Sequence, residues 1–182
     1  MKTLPKVALG LLAAGAGLSL IGLLLPRQVR VERTLTMQAP PAAVFNQINT
    51  LRNWEAWSPW HKIDPQMQLS YAGPAAGPGA SYSWLSNHRQ VGNGTLRIVR
   101  AQPQQRIDTE MNFDGSGLGY ASYLLEPTAQ GTKVTWSMES DMGFNPVGRY
   151  FGLFMDEMVG QDFERGLQNL RRVVETRPTA GR

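Results

Sequence analysis

The 182-residue sequence predicts an α+β domain: a curved antiparallel sheet of about six to seven strands wrapped around one long C-terminal helix, behind an apolar N-terminal segment. Three observations carry this expectation. Between residues 67 and 142 apolar side chains recur every second position, with short turns between runs. From Asn145 to about Glu175 the period changes to three and four. Before both, residues 7–25 run for 19 positions without a charge.

That first stretch reads VALGLLAAGAGLSLIGLLL. As a helix rising ~1.5 Å per residue it would be roughly 28 Å long, close to the hydrocarbon thickness of a bilayer. Lys2 and Lys6 precede it and Pro26-Arg27 ends it. The expected organisation is a short tail (1–6), a single-pass transmembrane anchor (7–25), a linker (26–28), a folded domain (29–175) and a disordered tail (176–182). A cleaved signal peptide is the rival reading, because Ala14-Gly15-Ala16 has the small-x-small pattern. Cutting there would leave the greasy N-terminus GLSLIGLLLP. Positive charges on both flanks leave the orientation open. Ala13 with Gly17, and Gly15 with Ser19, have the spacing of small residues that lets membrane helices pair.

The same region explains the charge. Of the formal +4, Lys2, Lys6, Arg27, Arg30 and Arg33 lie in the first 33 residues against Glu32 alone. Positions 34–182 hold 13 basic and 13 acidic residues and are neutral. A neutral domain lacks the basic footprint that nucleic-acid backbones require, so no nucleic-acid partner is expected. The chain has no cysteine, which excludes disulfides, thiolate metal sites and a cysteine nucleophile.

Taken in order, residues 29–37 alternate, with Val29, Val31, Leu35 and Met37 on one face of a strand. A proline pair then opens a short helix carrying Val44, Phe45, Ile48 and Leu51. Next comes NWEAWSPWHKIDP, holding three of the chain's five tryptophans, with Pro59 and Pro65 limiting its helical content. Strands follow at residues 67–71, 80–86, 95–101, 105–113, 117–126 and 132–142. In the fourth of these Ile107, Thr109, Met111 and Phe113 alternate against Arg106, Asp108, Glu110 and Asn112. The final helix presents Phe151, Phe154, Met155, Met158, Phe163, Leu167 and Leu170, and contains Gly148, Gly152, Gly160 and Gly166. Each helical glycine costs ~1 kcal/mol against alanine. Two accounts of them stand: a helix kinked or interrupted near Gly160, or volume left free above the helix. A strongly twisted sheet around one helix does not close tightly everywhere and tends to leave an apolar cavity.

The order of elements, with certain residues, resembles the START-like or SRPBCC superfamily (polyketide cyclase/dehydrase and lipid transport). The residues that carry the likeness are Ala39-Pro40 with Val44-Phe45, Trp54, and Trp57-Ser58-Pro59-Trp60. Gly79-Ala80-x-Tyr82-x-Trp84, Val91-Gly92-x-Gly94 and Asp162-Phe163-Glu164-x-Gly166-Leu167-x-x-Leu170 complete it. It covers residues 29–175, and the apolar segment fits a membrane-anchored bacterial branch, implying a single-pass protein of the bacterial inner membrane. The resemblance implies a helix-grip fold with a hydrophobic ligand cavity, but not one reaction.

Catalytic signals are sparse. His61 and His88 are the only histidines and lack metal-ligand spacing, so no metal or other cofactor is expected. His61 beside Asp64 is a weak candidate acid–base pair. Asp114 in FDGSG reads as a turn residue. No G-x-S-x-G elbow is present, and the proline-interrupted AGPAAGPGA lacks the Gly-Lys-Ser/Thr of a phosphate loop. Alternation instead turns Tyr82, Trp84, Met111, Phe113, Tyr123, Trp136 and Met138 toward the helix, which answers with Phe151, Phe154, Met155 and Met158. Aromatic and methionine side chains of this kind line adaptable apolar pockets as well as ordinary cores. In a helix-grip arrangement Trp57 and Trp60 plug or gate the cavity mouth, Pro59 fixes the chain between them, and Trp54 anchors the segment.

The expected function is therefore a membrane-anchored binding domain for a hydrophobic small molecule or lipid. The anchor would keep the mouth beside a bilayer where such ligands concentrate. The alternatives are a cyclase- or dehydratase-like enzyme using His61 or Tyr82, and a protein-interaction module with a filled core and a partner the sequence does not name.

Overall fold

A computed structural model describes residues 4–114 and 117–176, with the side chains of 4–9, 11 and 117 outside the description. Helix α1 (Leu4–Leu24) leads into strand β1 (Gln28–Met37), helix α2 (Pro41–Asn49), a 3-10 turn (Leu51–Asn53) and the short helices α3 (Trp54–Trp57) and α4 (Pro59–Ile63). Strands β2 (Gln68–Ala72), β3 (Ser81–Leu85), β4 (Gly94–Gln102), β5 (Arg106–Phe113), β6 (Gly117–Thr128) and β7 (Gly131–Asp141) follow as a meander. Helices α5 (Pro146–Gly152) and α6 (Met155–Thr176) end the described chain.

The seven strands form one antiparallel sheet in the order β1-β7-β6-β5-β4-β3-β2. Strand β1 returns to the far edge and pairs with β7 from Gln28 opposite Asp141 to Met37 opposite Thr132. The expected alternation holds along these strands: Val31, Met37, Tyr82, Trp84, Leu96, Ile98, Ile107, Met111, Tyr123, Val134, Trp136 and Met138 are buried on one face. A register shift between Ile98 and Arg100 bends β4. Helix α6 lies across the buried face on Met155, Phe163, Gly166, Leu167, Leu170 and Val174, while α2, α3 and α4 cover the rest.

The C-terminal helix is broken where the sequence predicts continuity. Leu153 and Phe154 close the gap with amide bonds to Tyr150 O (3.2 Å) and Phe151 O (3.0 Å), the tight spacing of a 3-10 turn. The cause is divided packing: α5 lies on α1, whereas α6 lies on the sheet. Gly152 marks the junction, since a Cβ there would meet Val29 Cγ2 at 2.8 Å.

Helix α6 runs through Gly160 without interruption, and the volume its glycines leave is filled. The Arg33 guanidinium occupies the space over Gly160, where a Cβ would be 2.1 Å from Nη2. It bonds Asp156 Oδ1 and Glu164 Oε1, both at 2.8 Å, and so clamps β1 to α6. These bonds raise the Arg33 pKa above its ordinary value, holding the charge on.

The apolar stretch is helical through Leu24, but among the described residues no helix is long and apolar enough to cross a membrane. Most of the tails expected at 1–6 and 176–182 lies outside the described residues.

Candidate functional site

The site is built on the tryptophan stretch. After α2, the 3-10 turn and the four-residue α3 bring Trp54 and Trp57 back toward the carbonyls that end α2. Trp54 Nε1 donates to Ile48 O at 2.8 Å and Trp57 Nε1 to Gln47 O at 3.4 Å, so both indoles satisfy backbone groups in the helix's last turn. Extended Ser58 separates α3 from α4, and Pro59 opens the latter with the φ a first helical residue needs. Asn169 Nδ2 on α6 donates to Trp57 O at 3.2 Å, fastening the segment to the helix.

Trp136 is the centre of the aromatic packing. Phe163 stacks on it with ring centroids 4.1 Å apart and planes 8° from parallel. Trp57 and Trp60 meet it edge-on at 5.9 and 5.8 Å, and Tyr123 lies at 5.0 Å. Gly166 admits the indole, because a Cβ there would stand 2.6 Å from Trp136 Cζ3. Trp57 and Trp60 thus both pack against Trp136, with Trp54 buried 4.8 Å from Trp57.

The polar content of this interior is small and incompletely paired. Ser58 Oγ, Trp136 Nε1 and both ring nitrogens of His61 are buried with no hydrogen-bond partner among the described residues. His61 lies 6.4 Å, ring to ring, from Tyr82. Burial lowers its pKa, Glu55 opposes that shift, and Lys62 adds to it. The imidazole is therefore neutral at pH 7. Burial likewise raises the phenols of Tyr82 and Tyr123 above their ordinary value, so both are protonated.

The expected His61–Asp64 pair does not form. Asp64 Oδ2 accepts from Ser86 Oγ at 2.5 Å and Oδ1 from the Gln66 amide at 3.0 Å, so its carboxylate is engaged at the start of the loop to β2. Asp64 caps α4 rather than facing back along it. Among the described residues no three His, Asp or Glu side chains come together to hold a metal ion.

Of the residues expected to line a ligand cavity, Trp57, Tyr82, Trp84, Met111, Tyr123, Trp136, Met138 and Met155 are buried together. Trp60 and Phe113 pack partly buried against them. Phe151, Phe154 and Met158 are not in this group: they are 49%, 57% and 54% exposed. The break at 153–154 and the turn of α5 toward α1 put this stripe on the opposite side from Met155 and Phe163. Sequence reasoning missed Ser58 and understated Phe163, whose place in the 163, 167, 170 stripe was the available signal.

Between the sheet and α6 the rings of Trp57, Trp60, Trp136 and Phe163 form one packed cluster. Two pockets flank it at the surface. One, of about 320 Å³, lies between α4 and α6 with Pro59, Lys62, Arg165 and Arg172 at its wall. The other, of about 230 Å³, lies beside Leu51, Arg52, Tyr71 and Ser81. Among the described residues the arrangement sets a few unpartnered polar atoms within an aromatic interior.

Solved structures show the same fold at low identity. The chain is similar to protein CV1439 from Chromobacterium violaceum, with 20% identity, TM-score 0.54, and coverage of 84% of this chain and 100% of that one. It is similar to a protein of unknown function, SA2116, from Staphylococcus aureus (11% identity, TM-score 0.62, 82% and 94% covered). A Rhodobacter sphaeroides protein gives 15% identity, TM-score 0.60, and 82% and 94% coverage. No curated protein matches the sequence significantly. The family described as polyketide cyclase / dehydrase and lipid transport matches residues 28–175, the whole sheet and nearly all of the last helix. With the α6-gripping sheet and the aromatic interior both inside that match, the chain belongs to the polyketide cyclase/dehydrase and lipid transport family.

Proposed function

We propose that this protein is a membrane-anchored binding domain for a hydrophobic small molecule or lipid, taken up between the sheet and α6. The observation that carries the reading is the set of buried, unpartnered polar atoms at Ser58, His61 and Trp136 inside an aromatic interior. A buried polar group left without a hydrogen bond costs ~1–3 kcal/mol. An apolar ligand with one hydroxyl, carbonyl or carboxyl end would supply that bond while its body replaces ring-to-ring contact. Entry requires α3 and α4 to swing outward. These are helices of four and five residues, short enough to move as a flap. The family match supports a ligand cavity in the same place. Residues 7–25 support the anchor, and a bacterial inner membrane is its proposed location.

A second reading, a cyclase- or dehydratase-like enzyme, is favoured by one observation. Neutral His61 faces Tyr82 in a dry setting and would serve as a base.

The test is native mass spectrometry of the full chain released from detergent, followed by organic extraction. An apolar or isoprenoid-like mass is expected to co-purify and to be lost in Trp136→Arg, with circular dichroism confirming that the variant folds. His61→Ala is expected to lower occupancy if binding is the whole function. Unchanged occupancy with lost turnover of the identified ligand would favour the enzyme. A clean apo mass after incubation with lipid extracts would leave a filled core, and the protein-interaction module would replace both readings.

A further inference from the structure

Helix α5 and the start of α6 carry an apolar stripe that the core does not use. Val147, Phe151, Phe154 and Met158 are 74%, 49%, 57% and 54% exposed. Val147 and Phe151 lie one turn apart on α5, and Phe154 and Met158 lie one turn apart where α6 begins, with Met158 N bonded to Phe154 O at 3.0 Å. Phe144 (76%) and Leu153 (55%) extend the patch. Exposed aromatics gathered like this mark an interaction surface rather than scattered surface residues.

What covers the patch is indicated by its neighbour. Helix α5 is seated on the last two turns of α1: Gly22 touches Pro146 so closely that a Cβ would be 2.7 Å from Pro146 Cβ. Tyr150 Oη donates to Leu18 O at 2.8 Å. Arg149, only 8% exposed, donates from Nη1 to Leu23 O and to Leu25 O (3.1 Å), capping the carbonyls that end α1, and from Nε to Gly143 O (2.9 Å). The patch is thus held beside the end of α1, whose own Leu18, Leu20, Ile21 and Leu24 are exposed. Arg27 lies 5.2 Å over the Phe144 ring while its guanidinium is bonded to Asp141, and Arg30 on β1 is bonded to Glu32 and Glu139. Aromatic rings and arginines at one level are the composition of a membrane–water interface.

We propose that α5 and the first turn of α6 lie in the interfacial layer of the bilayer that α1 enters, with Phe144, Val147, Phe151, Phe154 and Met158 among the acyl-chain ends. This rests on the anchor reading above and deepens it. The occupant is a lipid surface, since the patch continues the exposed apolar surface of α1 at Leu18, Leu20, Ile21 and Leu24. Asp141 and Asp156, the carboxylates closest in sequence, are already paired with Arg27 and Arg33. Glu157 faces outward beside Met158 without such a partner among the described residues.

The cysteine-free chain permits a direct test. Single-cysteine variants of the full chain, Leu12→Cys, Val147→Cys, Phe154→Cys and Thr176→Cys, are nitroxide-labelled and reconstituted in phosphatidylcholine–phosphatidylglycerol vesicles. Collision with oxygen reports lipid and collision with a nickel chelate reports water. Positions 147 and 154 are expected to lose nickel accessibility and gain oxygen accessibility as position 12 does, while position 176 stays water-exposed. If position 12 lies in lipid and 147 and 154 match 176, the interfacial placement is overturned and the anchor stands. If position 12 is in water, the anchor reading fails first and takes the placement with it. Spin–spin broadening at 147 and 154 that disappears on dilution with unlabelled chain would assign the patch to a second copy, also overturning the proposal.

Discussion

At Gly166 a Cβ would stand 2.6 Å from Trp136 Cζ3 and 3.1 Å from Pro59 Cδ, so the residue lets a helix, an indole and the plug segment meet at one point. Gly166→Ala gains up to ~1 kcal/mol of helix propensity and overpacks a rigid contact at a cost of ~1–3 kcal/mol. A net loss of about 1 kcal/mol is expected, seen in denaturant titration as a lower midpoint at unchanged slope. His61 gives a pH signature instead. Its folded pKa lies below the unfolded value of 6.5, so the unfolded chain binds the extra proton. The stability it supports is complete above pH 6.5 and falls as the pH drops from there toward the folded pKa. In His61→Phe the loss of thermal stability between pH 6.5 and 5 is expected to be shallower than in the parent, measured as Tm against pH. Equal slopes would mean the ring is solvated. Neither residue's role could be read from the sequence, because Gly166 reads as a weak helix position and the nearness of Asp64 in sequence suggests a pair that Ser86 and Gln66 pre-empt.

Helix α6 and the approach to it carry two apolar stripes with opposite tasks. Phe163 is 1% exposed and stacked on Trp136, whereas Phe154 is 57% exposed. Phe163→Ala is expected to cost about 3–5 kcal/mol, and Phe154→Ala to stay within ~0.5 kcal/mol in detergent. Comparable losses at both positions, from the same denaturation experiment, would refute the division. Periodicity merged the two into one stripe and turned Phe151, Phe154 and Met158 toward the sheet, because a buried apolar face and an exposed one read alike in sequence. The strands were less ambiguous. In β5, Arg106, Asp108, Glu110 and Asn112 fix which side is wet, so Ile107, Thr109 and Met111 were assigned inward correctly. The same logic gave the faces of β1 and β7.

Across the whole molecule, alternation and the change of period were enough to anticipate seven strands and a terminal helix. They could not anticipate whether the space between them is occupied. That depends on summed side-chain volume in three dimensions, as where Phe163 stacks on Trp136 at 4.1 Å. The clamp from Arg33 to Asp156 and Glu164 was equally hidden, since its partners are more than a hundred residues apart. One consequence of the aromatic packing is optical. All five tryptophans belong to one chain of near neighbours: Trp54 to Trp57 at 4.8 Å, Trp57 to Trp136 at 5.9 Å and Trp60 to Trp136 at 5.8 Å. Trp84 joins through Tyr82, which is 5.9 Å from Trp84 and 6.4 Å from Trp54. Light absorbed by any indole can migrate to the others before emission, and no tryptophan elsewhere dilutes the signal. The intrinsic emission and near-ultraviolet dichroism of the entire protein are, in effect, spectra of this one chamber.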